Sequence, residues 1–176
     1  MKQRIRHLIY IIVLVVLDQL SKLWVRTVLA EKGPVIIIPD VLKLQYHENA
    51  GAVWGILQGK VSFLKIFTFI LILGIAYLYF KIPNTKKFQI LKIIFVFITA
   101  GAIGNLIDRI FLNHVVDFIY FELINFPVFN LADSCITISS ILLLVLAIFY
   151  YKDDDFSFLD QLFKKKKKKD NDSSEE

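Results

Sequence analysis

The stretch HLIYIIVLVVLDQLSKLWVR, residues 7–26, decides what kind of protein this is. Lys2, Arg4 and Arg6 precede it and Leu8 to Leu17 is apolar, the outline of a secretory leader. A leader would close with small residues at a cleavage site. Here the run passes instead into Asp18-Gln19-Leu20-Ser21-Lys22-Leu23-Trp24. The segment reads as an uncleaved membrane helix.

Three further stretches follow the same logic. Residues 61–80 carry one charge, Lys65, near their start; residues 88–107 carry Lys92, close enough to one end to snorkel; residues 131–150 form the last. Each approaches the ~20 residues that cross a hydrocarbon core of about 30 Å. The whole chain of 176 residues is 56% hydrophobic, with a mean hydropathy of +0.60. One small core cannot hide so much apolar surface. The expected fold is an all-α polytopic membrane protein with four transmembrane helices, a small extracytoplasmic β/loop element and an interfacial segment. Residues 1–151 form the membrane domain and 152–176 a charged, disordered cytoplasmic tail.

The net charge of +5 says little about partners, because Lys164 to Lys169 supply six positive charges in one run. A nucleic-acid surface needs basic residues spread over a folded face, and none is evident. The lysine run is solvated, or touches anionic lipid. Cys135 is the one cysteine, so no intrachain disulfide can form, and its apolar surroundings suggest a packing role.

Basic residues orient the helices. Lys2, Arg4 and Arg6 flank the first, Lys81, Lys86 and Lys87 fill the short connection between the second and third, and Lys152 follows the fourth. The positive-inside rule places these segments and both termini in the cytoplasm. The connections near 27–60 and 108–130 then lie outside. In the first, residues 42–47 alternate as a half-buried strand does, while Ala50 to Leu57, with Trp54, suits the headgroup interface.

With that orientation the unusual polar residues share one side. Asp18 and Lys22 lie toward the outer end of the first helix, and Asn105, Asp108 and Arg109 at the outer end of the third. Asp133 is in the outer first turn of the fourth, and Asn49 and Asp117 are in the outer loops. Each has a plain structural reading. Asp18 and Lys22 can pair at i, i+4; Asn105, Asp108 and Arg109 can end a helix; Asn130 and Asp133 have the spacing of a capping box. Ala100-Gly101-Ala102-Ile103-Gly104 reads as a close-packing face. Gathered on one side, however, ionisable groups at a membrane point to function.

His47-Glu48-Asn49-Ala50-Gly51 lacks the second histidine of a zinc peptidase, and Ser134 has no nucleophile elbow around it. Two carboxylates remain. Asp117 stands between Val115-Val116 and Phe118-Ile119-Tyr120-Phe121, where desolvation favours its protonated form. Asp133, at a helix N-terminus, is favoured as the anion. Acids pushed apart in this way can divide acid and base roles, without metal or cofactor.

Five blocks occur in order: Asp18-Gln19-x-x-Lys22, Asn49-x-Gly51-Ala52, Gly101-Ala102-x-Gly104-Asn105-x-x-Asp108-Arg109, Val115-Val116-Asp117-Phe118, and Phe126-Pro127-x-Phe129-Asn130-x-Ala132-Asp133. This pattern resembles lipoprotein signal peptidase, signal peptidase II. The resemblance implies an aspartic endopeptidase with Asp117 and Asp133 as its catalytic pair. It implies that Asn49, Gly51, Asn105, Arg109, Asn130 and Ala132 line the site, and that Asp18, Lys22 and Asp108 organise it or contact substrate. Diacylglyceryl-modified prolipoproteins are the implied substrates, cut just before the lipidated cysteine at the outer face of the bacterial cytoplasmic membrane. Membrane lipid is the other expected partner, and a monomer the expected state. The loop at Asn49–Leu57 is a candidate cover. The rival reading, a small transporter or proton pathway, needs polar groups continuing through the inner half of the bundle.

Overall fold

The computed structural model describes residues 2–51 and 56–157. Residues 52–55 of the expected cover, Trp54 among them, and the lysine run fall outside these residues. Among the described residues, four helices are long and apolar enough to cross a membrane. The first, α1, runs Lys2–Trp24 and continues through a π-helical turn, Val25–Leu29, and a last turn, Ala30–Lys32. It is longer than the 7–26 expected, because charges at either end of a span do not stop a helix. Gly33, with φ +82°, stops it.

The second span, α2, is Val61–Lys81 and ends where extended Ile82 precedes Pro83. A short 3-10 turn, Lys86–Phe88, leads into α3, Gln89–Leu112. Asp108 and Arg109 therefore do not terminate the third helix at 107. It runs on until Asn113, left-handed at φ 62°, closes it with an N–H bond to the Arg109 carbonyl. The last span, α4, is Leu131–Phe149 and starts at a complete capping box of Asn130 and Asp133.

The third helix is the hub, packed against α1, α2 and α4. Of its apolar stretch 56% is buried, against 6% for α2. Phe63, Ile66, Phe67, Ile70 and Phe80 of α2 are all more than half exposed, an arrangement that suits lipid and not water.

At one end sits an antiparallel sheet of order β1-β2-β3: β1 Val35–Ile38, β2 Leu42–Asn49 and β3 Val115–Phe121. The strand at 42–47 thus gains two partners. The Val-Ile-Ile-Ile of β1 has no alternation to mark it, and all four residues are exposed. Register places Asn49 opposite Val115 and His47 opposite Asp117, after an irregularity beyond Leu44. Val25 and Leu29 of the π-turn pack with Val116 and Phe118, fastening the sheet to α1.

At the other end Ile82, Phe88, Leu91 and Tyr151 form a second apolar cluster. The chain does not leave it at Lys152. Asp153–Phe156 makes a 3-10 turn, and Asp155 pairs with Lys87 at 2.6 Å. The described residues thus include the first six positions, 152–157, of the segment expected as a tail.

Candidate active site

The sheet end gathers the polar residues from five elements, α1, β2, α3, β3 and α4. Lys22 of α1 is 2% exposed, and its ammonium has three partners: Asp18 Oδ2 at 2.8 Å, Asp108 Oδ2 at 2.9 Å and Asn105 Oδ1 at 2.9 Å. The i, i+4 pairing of Asp18 and Lys22 is thus real but is only one edge of a larger cluster. Two carboxylates to one cation leave capacity over, and both acids use it on backbone. Asp18 Oδ1 accepts from the Ala132 N–H at 3.0 Å, and Asp108 Oδ2 from the Val116 N–H at 3.1 Å. Each buried acid therefore holds the residue immediately before Asp133 or Asp117.

Small residues allow this closeness. A Cβ at Gly104 would lie 2.5 Å from Asp18 Oδ2, and one at Gly101 would meet the Ala132 carbonyl. Gln19 joins the cluster, donating to Asp108 Oδ1 at 3.0 Å and to the Gly104 carbonyl at 3.1 Å. It was part of a motif but not among the expected site residues. The signal available was an amide beside Asp18, just after the apolar run Leu8 to Leu17.

The two remaining acids meet through Asn130, which is fully buried. Its Nδ2 donates to Asp117 Oδ1 at 2.7 Å and to Asn105 Oδ1 at 3.1 Å, while its backbone N–H donates to Asp133 Oδ2 at 3.2 Å. Asn105 Nδ2 in turn donates to Asp133 Oδ1 at 2.7 Å. The capping box is therefore real, and Asn130 also spans both acids. Asn49 Nδ2 donates to Asp117 Oδ2 at 3.0 Å, and its own Oδ1 accepts the Gly51 N–H at 2.9 Å. Arg109 reaches the Gly51 carbonyl at 3.2 Å, tying α3 to the start of the 51–60 connection.

The acids differ in setting. Asp117 is 1% exposed, whereas Asp133 is only half-buried. Burial first, and the nearby Asp133 carboxylate second, raise the pKa of Asp117 from 3.8 to about 7. The Asn49 and Asn130 amides and the Lys22 ammonium pull the other way. The net effect favours the protonated form of Asp117 relative to a carboxyl in water. Ser134 offers no rival nucleophile, since its hydroxyl donates to the Asn130 carbonyl within the helix. His47 is exposed on β2, and His114 stands 3.6 Å from Glu48.

The family model described as signal peptidase (SPase) II matches residues 10–149. The chain belongs to that family. A lipoprotein signal peptidase of Clostridium novyi is 37% identical over 131 residues, covering 73% of this chain and 87% of the relative. One of Staphylococcus aureus is 40% identical over 130 residues, covering 73% of this chain and 78% of its own length. Two solved bacterial membrane enzymes share the architecture. One has 34% identity and a TM-score of 0.74 over 81% of this chain and 87% of its own. The other has 33% identity and a TM-score of 0.72 over 83% and 94%. This signal peptidase II family member is therefore a multi-pass membrane peptidase, and the matched stretch contains all the polar residues of the sheet end.

Proposed function

We propose that the chain is an intramembrane aspartic endopeptidase in which Asp117 and Asp133 are the catalytic pair. The observation that carries this reading is Asn130, whose side chain and backbone hold one oxygen of each acid at 2.7 and 3.2 Å. The more exposed Asp133 is the anion and takes a proton from water, which attacks the scissile carbonyl. Protonated Asp117 polarises that carbonyl, and a proton then passes to the leaving amine. Because the acids interact, their titrations belong to the pair.

The relatives' name, lipoprotein signal peptidase, supports a prolipoprotein substrate. We take it to carry a diacylglyceryl cysteine, with cleavage just before that residue. The signal peptide enters from the bilayer as a helix, and the lipid chains stay in it. The sheet end faces outward and both termini inward, as the basic residues at the opposite end favour. Asp18, Lys22 and Asp108 act as positioning residues through the Ala132 and Val116 N–H groups. Asn49, Gly51, Asn105, Arg109, Asn130 and Ala132 shape the cleft, and the chain works as a monomer.

A proton pathway has one observation in its favour, the buried His7 and Lys92 at the far end. From Lys92 to Asn105, however, α3 rises about 20 Å at 1.5 Å per residue. The buried positions between them, Ile94, Val96, Ala100, Gly101, Ala102 and Gly104, are all apolar. The test is incubation of purified protein with a diacylglyceryl-modified precursor. Wild type should release the signal peptide with or without a chelator, and Asp117→Asn and Asp133→Asn should not. Full activity in either variant would overturn the assignment, and loss of activity to the chelator would overturn the metal-free mechanism.

A further inference from the structure

The end of the bundle away from the sheet holds a second buried polar cluster that cleavage does not use. His7 of α1 is 2% exposed and Lys92 of α3 is 7% exposed. Tyr79 of α2 stands between them. His7 Nδ1 lies 2.8 Å from the Tyr79 hydroxyl, and Lys92 Nζ lies 5.6 Å from the centre of the Tyr79 ring. Arg4, one turn before His7, sits with its guanidinium 5.3 Å from the Phe80 ring.

Among the described residues the basic side chains of this cluster make no ion pair. The chain has no acidic residue before Asp18 and none between Glu48 and Asp108. Asp155, which does reach this end, is engaged by Lys87. Among the described residues Lys92 has only the Asn84 amide oxygen at 3.4 Å, the long limit of a hydrogen bond, and the Tyr79 ring. His7 Nε2 is buried with no hydrogen-bond partner among the described residues. An ammonium removed from water is penalised heavily unless an anion meets it, and a buried ring nitrogen also needs a partner.

We propose that Arg4, His7 and Lys92 form a binding site for the phosphate headgroup of an anionic phospholipid, entered from the exposed Asn84 side. Three features favour a lipid over a free anion. The site lies at the mouth of three membrane-crossing helices. Its walls are the aromatic residues Tyr79 and Phe80, and Phe80 is 61% exposed on the lipid-facing surface of α2. Basic residues flanking membrane helices are also where anionic headgroups collect. The proposal goes beyond peptide cleavage and stands apart from it, resting only on the orientation given above.

The test uses the full chain in nanodiscs of phosphatidylcholine doped with phosphatidylglycerol, reading retained lipid by native mass spectrometry. Wild type should keep phosphatidylglycerol over phosphatidylcholine by about tenfold or more, the size that two well-placed basic side chains confer. Lys92→Met and Arg4→Gln should each bring the ratio near parity. Lys92→Arg and the exposed-site control Lys86→Gln should preserve it. Size-exclusion profiles report folding independently of cleavage, and if Lys92→Met proves misfolded, exposed Arg4→Gln carries the test. Undiminished preference in both Lys92→Met and Arg4→Gln would overturn the site. An equal loss in Lys86→Gln would reduce it to diffuse surface charge. Retention of inorganic phosphate as strong as that of the lipid would overturn the lipid assignment.

Discussion

The two ends of this bundle bury polar side chains by opposite rules. At the sheet end Asp18, Asp108, Asp117 and Asp133 meet Lys22 and Arg109, so acids outnumber bases, yet amides and backbone N–H groups occupy the carboxylate oxygens. At the other end His7 and Lys92 are buried with Arg4 beside them and no paired carboxylate among the described residues. A closed network fixes geometry, which is what two acids sharing one reaction require. An open one leaves charge to be met from outside. Sequence position alone would class both as polar residues inside a membrane span. The difference is whether the buried charges meet opposite charge among the described residues.

The strongest way to break the comparison is at the acids themselves. Asp117→Asn and Asp133→Asn keep volume and one of the two hydrogen bonds each carboxylate accepts, and each should lower cleavage by about 10⁴-fold, the upper range for a lost acid or base. Their thermal unfolding should stay close to wild type. A variant that instead unfolds while retaining activity per folded molecule would make the pair a structural element.

The lysines come next, and they should behave in opposite ways. Lys22→Met strips the cation from Asp18 and Asp108, leaving buried charge uncompensated, and should cost about 3–5 kcal/mol. Lys92→Met removes a buried cation that has no acid partner among the described residues. In neutral lipid it should be nearly neutral or stabilising, because an apolar side chain of similar size replaces a poorly met charge. Chemical unfolding of both variants in phosphatidylcholine nanodiscs measures the contrast. Equal losses would mean the two ends follow one rule.

A smaller effect is expected at Gly104. A methyl group there meets Asp18 Oδ2 at 2.5 Å and must displace that carboxylate or part α1 from α3. Gly104→Ala should cost about 1–3 kcal/mol, the range for overpacking. Because Asp18 holds the Ala132 N–H, cleavage should fall by more than stability alone explains. Gly74→Ala makes the control, since nothing lies within 4 Å of its Cβ position.

Much of this was legible in the sequence, for identifiable reasons. Spans of about twenty apolar residues need no tertiary information, so the four helices could be read directly, with errors confined to their ends. The end of α3 was misjudged because Asp108 and Arg109 look like a stop. They face a buried cluster and a loop carbonyl, and the helix continues beneath them. β1 escaped because Val35–Ile38 is uniformly apolar, and a strand without alternation cannot be told from any other short apolar run. The site residues were legible as a group because charge is rare in these spans. Their division of labour was not. That Asp18 and Asp108 each hold the N–H before the other two acids depends on contacts between residues 114 and 8 positions apart, which no local pattern encodes.

The finest test concerns the proton that the closed network is proposed to hold. With its pKa raised from 3.8 to about 7, Asp117 binds a proton more tightly folded than unfolded. Its contribution to stability is therefore complete below about pH 4 and is lost as pH rises through about 7. If protonated Asp117 is the working form, kcat/KM should decline across that same upper limit. Asn49 stabilises the anion by donating to Oδ2, so Asn49→Ala should raise the pKa further and move the alkaline limb upward. The acid limb should hold, since Asn49 makes no hydrogen bond to Asp133 among the described residues. Rate profiles of wild type and Asn49→Ala from pH 4 to about 9 read the shift directly. An alkaline limb that stays in place or moves down would assign the proton to Asp133 instead, reversing the acid and base roles while leaving the pair intact.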